Sequence, residues 1–190
     1  LGALSLISAP VTATTNPILS WSFDNATATD ASPNANHGSL IGSPTAVSGQ
    51  VNSALNFNGT NDGINLNTIN ALPAGNTPHT IAAWIKINSL PAARAWLLLL
   101  GQEGPGAHHW LINNNGLAQL GVWSGNQVQP TLSAGTWQHL AITFDGTNLT
   151  GYINGANIGS TPTSFNLQGL PLTLATSHIG ENYFNGAVDE

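Results

Sequence analysis

TWQHLAITFDGTNLTGYING, residues 136 to 155, alternates two sets of side chains and then reverses twice. Trp137, His139, Ala141 and Thr143 interleave with Gln138, Leu140, Ile142 and Phe144, the period of two that puts successive residues on opposite faces of a strand. Asp145-Gly146 follows as a hairpin signal, because glycine accepts the positive φ that tight reversals need. Leu149 to Ile153 then reads as the returning strand, closed by a second turn at Asn154-Gly155. An antiparallel hairpin is the expected product.

Working outward, the chain repeats this pattern of short strands and polar turns. Ile18 to Phe23 sets Leu19, Trp21 and Phe23 against Ser20 and Ser22, a half-buried strand. Asp24 to His37 is a polar loop. Ala54 to Phe57 and Gly63 to Leu66 flank an Asn-Gly-Thr-Asn-Asp turn and are expected to pair as a hairpin. Thr80 to Ile87 is a longer strand, and the continuous apolar run Leu97 to Leu100 belongs at a sheet centre. Trp110 to Asn113 and Leu117 to Trp123 pair across Asn114-Asn115-Gly116, and Leu172 to Ile179 and Ala187 to Glu190 complete the set. No segment sustains an apolar period of 3.6, so almost no helix is expected. About a dozen strands with frequent turns predict an all-β, two-sheet antiparallel sandwich.

The motifs behind these strands resemble, in order, those of laminin-G-like domains in the concanavalin A-like lectin/glucanase jelly rolls. The resemblance rests on LSWSFDN with ATDASPNANHGSL, on ALNFNGTNDGINL, on TIAAWIKI, on the hairpin quoted first, and on the closing Phe184 to Glu190, FNGAVDE. It implies a jelly-roll fold. It also implies a secreted, non-catalytic carbohydrate-binding or adhesive module whose partner is a glycan or a cell-surface protein. In the family the closing motif normally continues into one more strand. A structural subunit of an extracellular filament is the alternative, with an apolar segment of one subunit completing its neighbour by strand addition.

Composition narrows the partners. Only 5% of the 190 residues are charged, Lys86 and Arg94 are the only Lys or Arg, and the net charge is −6. Nucleic acid and anionic membrane surfaces both require clustered cations that this chain lacks. Without cysteine there are no disulfides, thiolate metal sites or cysteine nucleophiles. A surface of Asn, Thr, Ser and Gly is common in secreted bacterial proteins, which sets the expected location as extracellular. LGALSLISAPVTA, residues 1 to 13, reads either as the remnant of a signal peptide or as an exchanged apolar strand, and residues 14 to 190 as the domain; the apolar run is too short to span a bilayer.

Two groups of residues could carry chemistry. Asp24, Asp30, Asn34 and Asn36 share the first polar loop, and the resemblance brings Asp189 and Glu190 close to the first strand. Such oxygen ligands suit Ca²⁺, and the resemblance implies a structural calcium here. Pro33 and Ala35 stand where the family usually has glycine, which opposes the ligating shape if those positions need positive φ; alternatively, Asp30 and the asparagines simply cap a turn. The second group would bind a glycan: indole faces of Trp96, Trp110 and Trp123, with Glu103, His108 and His109 as polar partners. Strand alternation makes Trp21, Trp84 and Trp137 core and favours the core for Trp110 and Trp123, while His108 and His109 read as loop or rim residues facing opposite ways. Catalysis is not expected. No two carboxylates stand two or four apart as the strand-borne acid pair of a glucanase would.

Overall fold

The computed structural model describes residues 17–67, 70–71, 73–167, 171–177 and 179–190, and among these it contains strands and turns but no α-helix. The strands are β1 (Ser39–Ile41), β2 (Thr45–Ser48), β3 (Ser53–Asn58), β4 (Gly63–Leu66), β5 (His79–Ile87), β6 (Arg94–Leu100), β7 (His108–Asn113), β8 (Ala118–Val122), β9 (Gln127–Val128), β10 (Trp137–Phe144), β11 (Asn148–Ile153), β12 (Ala156–Pro162), β13 (Leu172–Leu174) and β14 (Asn185–Asp189). They form two antiparallel seven-stranded sheets, ordered β1-β4-β13-β6-β7-β8-β9 and β12-β11-β10-β5-β14-β3-β2. Residues 1 to 13, with their two alternative readings, lie outside the described residues.

The hairpin of residues 136 to 155 forms as expected, β10 pairing β11 from Leu140 with Ile153 to Phe144 with Leu149. Its buried face is Gln138, Leu140, Ile142 and Phe144. Those apolar groups join Leu55, Phe57 and Ile85 of the same sheet against Ile64, Leu98, Leu100, Trp110 and Leu120 of the other, and this inter-sheet layer is the main core. Full burial of one such side chain stabilises the fold by about 1.5–3 kcal/mol, so this layer holds the sheets together.

Trp137 and Trp84 sit on the other face of the second sheet, half-buried, where Trp84 meets the His139 ring edge-on at 5.1 Å. That corrects their expected core position: on β10 the inward phase belongs to Leu140 and Ile142, and a two-residue period sends Trp137 outward with His139. Two strand expectations also change. Ile18 to Phe23 contributes only a single bridge, Trp21 with Asp30, and Phe23 turns the chain at φ 62. β3 and β4 do not pair with each other. β3 lies between β14 and β2, whereas β4 lies between β1 and β13, so the turn between them crosses from one sheet to the other. Asp62 holds that crossing: its carboxylate accepts the backbone N–H of Asn58 at 3.1 Å and of Ser43 at 2.8 Å. β14, which carries the closing motif, pairs on both sides, with β3 and with β5.

Candidate functional site

β7 begins with the two adjacent histidines, and alternation sends them to opposite faces of the first sheet. Both are strand residues and both are buried, His108 at 0% and His109 at 4% exposure, which corrects their expected loop or rim position. The apolar residues that follow, Trp110, Leu111 and Ile112, extend the strand back to its very start and draw the imidazoles in with them.

His108 faces the main core and joins a chain of ring hydrogen bonds between the sheets. Trp110 Nε1 can only donate, so His108 Nε2 accepts it at 3.3 Å. His108 Nδ1 therefore carries the proton and donates to His79 Nε2 at 2.8 Å, and His79 Nδ1 donates to the Thr77 carbonyl at 2.9 Å. The His108 ring also stacks on Phe165, with centroids 4.7 Å apart. Burial, reinforced by the neighbouring His79 and His109, holds His108 well below the usual histidine range, and burial lowers His79 as well. Both rings are neutral structural elements. Trp110 is 1% exposed within the main core, where no ligand face is available.

His109 points to the outer face. There Trp96, Leu99, Ala107 and Leu111 form a second buried cluster with Trp123 packed against it. Trp96 and Trp123 stack with centroids 5.1 Å apart and planes 14° from parallel, and the His109 ring stands edge-on to both at 5.9 Å. Burial pushes His109 down to about 4. Glu103 lies in the turn between β6 and β7 and is half-buried.

Half-buried Trp123 also lines a shallow groove of about 830 Å³ at one end of the sandwich. Phe165, Asn126, Asn166, Thr163 and Ser164 are among its other walls, and no Asp, Glu, Lys, Arg or His lines it. Asn76 ties the walls together, donating to Gly146 O and accepting the backbone N–H of Phe165, both at 2.8 Å. Of the six residues expected to meet a glycan, the structure brings Trp96, His109 and Trp123 together and sets only Trp123 in this groove. The amides and hydroxyls around it were not singled out from sequence, since Asn, Ser and Thr crowd every turn of the chain.

Five of the six oxygen-bearing residues separate into two groups. Asp30 accepts the backbone N–H groups of Ser20, Ser32 and Asn36 and the Ser32 hydroxyl, at 2.6–2.9 Å. Burial pushes its carboxyl upward, but these four donors outweigh burial and hold it below the usual carboxylate range. Asn34 and Asn36 donate their side-chain N–H groups to the Ile18 carbonyl at 3.1 and 2.8 Å, and Ala35 adopts φ 54 despite its Cβ. This arrangement is a hydrogen-bonded turn whose oxygens already face donors, and it does not fit a calcium shell. Asp24 and Asp189 instead share the segment after β2. Asp24 accepts the Ser53 N–H at 3.1 Å, and Asp189 Oδ2 accepts those of Gln50 and Val51 at 2.7 and 2.9 Å. Asp189 Oδ1 is buried without a hydrogen-bond partner, an orphaned oxygen that does fit a cation. Glu190 is exposed. Among the described residues, no three His, Asp or Glu side chains converge as a metal cluster.

Two facing antiparallel sheets with this strand order define a jelly-roll sandwich of the lectin type. Residues 58–190 match the profile of laminin-G-type domains in the concanavalin A-like lectin/glucanases superfamily, and the chain belongs to that family. No sequence among curated proteins matches it. Among solved structures it is similar to domain 4 of AbnA, a GH43 extracellular arabinanase from Geobacillus stearothermophilus, in complex with arabinotriose, at 21% identity and TM-score 0.71 over 90% of this chain and 88% of that one. It is also similar to the binding domain of Paraclostridial Mosquitocidal Protein 1, at 18% identity and TM-score 0.72, covering 92% of this chain and 47% of that one. The binding domain of Botulinum neurotoxin serotype G gives 14% identity and TM-score 0.72, with 92% and 46% covered. The chain spans about half the length of the two toxin domains. At these identities the likeness establishes the fold.

Proposed function

We propose that this chain is a secreted, non-catalytic module that binds a neutral carbohydrate in the groove beside Trp123. The observation that carries the reading is the groove's lining: the half-buried Trp123 indole among amides and hydroxyls, with no ionisable side chain. Sugar C–H faces pack on aromatic surface while hydroxyls exchange hydrogen bonds with uncharged polar groups, so such a lining selects a neutral polyol. It offers no carboxyl group, and glycoside hydrolysis needs carboxyl groups flanking the scissile bond. The arabinotriose complex of AbnA domain 4 supports the choice of ligand class. Isothermal titration with arabinotriose, maltotriose and cellotriose tests it. At least one is expected to bind, and Trp123→Ala to weaken binding by about thirtyfold, on the order of 2 kcal/mol for an aromatic anchor. Absence of binding by the unaltered chain to all three overturns the reading.

We also propose a structural calcium ion held by Asp189, carried by its orphaned Oδ1; Asp24 is left out because both its oxygens accept hydrogen bonds, from Ser53 N–H and the Asn52 side chain. The ion would supply positive charge at the end of β14, beside the segment after β2 that Asp189 already holds through Gln50 and Val51. Adding Ca²⁺ after chelation is expected to raise the melting temperature, and Asp189→Asn to abolish the rise. An unchanged melting temperature in the unaltered chain rejects the site.

A further inference from the structure

Eight carboxylates share this chain with two fixed cations, yet Arg94, its sole arginine, forms no ion pair with any of the eight, all of which are among the described residues. Its guanidinium donates to no described residue either. Arg94 opens β6, is exposed, and lines a second pocket of about 390 Å³, which no Asp or Glu lines. Ligand sites typically occupy roughly 300–1,000 Å³. The pocket lies at the far end of the sandwich from the groove beside Trp123. β5 starts three residues after the groove's Asn76 and ends two before the pocket's Ser89, a run of about 26 Å.

Segments remote in sequence build its walls, and hydrogen bonds tie them together. Ser89 and Leu90 come from the β5–β6 turn, Asn182 and Tyr183 from the connection before β14, and Asn185 from β14 itself. The Asn182 carbonyl accepts the Trp96 N–H at 2.8 Å and Trp96 bridges Tyr183, which seats both wall residues along β6 two positions from Arg94. Asn185 Nδ2 donates to Ser89 Oγ at 3.0 Å, while Asn185 Oδ1 accepts Asn88 Nδ2 at 3.2 Å. Ser89 is the acceptor in that bond, so its own hydroxyl proton remains to donate. The Asn182 amide and the Tyr183 hydroxyl make no hydrogen bond with a described residue.

The donors select the ligand. A guanidinium fork matches a carboxylate with two parallel N–H···O bonds. One fixed cation balances one negative charge, whereas a phosphate carrying nearly two would call for a second. β5, β6 and β14 are each paired on both sides, so no open strand edge beside the pocket offers backbone groups to an extended peptide. Ser89 and Asn182 suit ring hydroxyls, and half-buried Tyr183 with exposed Leu90 offers surface to C–H faces. We propose that this pocket binds a uronic acid residue, its carboxylate on Arg94 and its ring against Tyr183. It is a second site, independent of the neutral-sugar reading of the groove.

Isothermal titration in calcium-free buffer with trigalacturonate, its full methyl ester and acetyl-triglycine tests this. Trigalacturonate is expected to bind, and the ester, which keeps the rings and removes the charge, to bind about thirtyfold more weakly. Arg94→Ala is expected to lose a similar factor, and Arg94→Lys about tenfold because an ammonium lacks the fork. Trp123→Ala, at the other end, should leave trigalacturonate affinity unchanged. With one arginine in the chain, ¹H–¹⁵N spectra hold a single arginine Nε–H peak. That peak should shift with trigalacturonate and not with the ester, a readout that needs no variant. No binding of trigalacturonate, equal affinity for the ester, or a stationary Nε–H peak overturns the proposal. Tighter binding of acetyl-triglycine than of trigalacturonate overturns the sugar assignment.

Discussion

His108 shows how one side chain can set the acid response of the whole domain. Its neutral ring is wired between Trp110 and His79, so protonation inserts a charge into a buried chain that has no place for it. Burial depresses the folded-state values of His79, His108 and His109 below the unfolded value near 6.5. A group depressed in this way contributes stability that is fully present above its unfolded value and is lost as pH falls toward its folded one. For His109, at about 4, the loss is on the order of 3 kcal/mol across that window. The carboxylates act lower: Asp145, held at about 2 by the backbone N–H groups of Asn148 and Thr147, gives up its contribution only below about pH 4. Urea midpoints are therefore expected to fall steadily from pH 7 to pH 4.5. His108→Leu should start lower at pH 7, through the lost ring hydrogen bonds, and decline less steeply; identical slopes would show that the wire is not the sensor. The sequence displayed the histidine pair and its opposite facing, but not its depth. Depth depends on Phe165 and His79 closing over the ring, both remote in sequence.

At the scale of elements, local pattern was legible and partnership was not. The 136–155 hairpin could be read because its pairing is local: a two-residue turn fixes the register of β10 on β11. The same logic applied to Ala54–Phe57 and Gly63–Leu66 predicted a hairpin where the chain changes sheets. Alternation cannot distinguish a turn that returns to the same sheet from one that crosses to the other. The distinguishing residue is Asp62, 2% exposed, whose carboxylate satisfies the backbone N–H groups of Asn58 at the start of this crossing and of Ser43 in the β1–β2 connection, which also changes sheets. Asp62→Ala would leave two such donors unpaired and is expected to destabilise the fold by about 2–4 kcal/mol in urea denaturation. Asp62→Asn, which keeps an acceptor oxygen, should recover part of that loss. A fully silent alanine variant would show that the crossing holds itself without the carboxylate. Phase caused the other misreading: Trp84 and Trp137 alternate correctly, but the inward set on each strand is the aliphatic one, and aromatic bulk alone did not reveal it.

For the whole molecule, the jelly-roll class was legible because five ordered motifs and the turn spacing agree with one another. The candidate site was legible only in part. Trp96, His109 and Trp123 were visible as residue types, whereas Asn76, Thr163, Ser164 and Asn166 reach the groove from turns far apart in the chain that only the fold brings beside Trp123. The oxygen-bearing residues separated because both oxygens of Asp30 are spent on its own turn and Oδ1 of Asp189 is not. No ionisable side chain lines the groove beside Trp123. Recognition through hydroxyls and ring faces has no counterions to release and no field to screen, so glycan affinity measured from 50 mM to 1 M sodium chloride should stay within about a factor of two. A steep fall would reveal a charged contact elsewhere on the surface. A groove that binds as proposed grips its ligand equally in fresh water and in brine, as the proposed work of a secreted module demands.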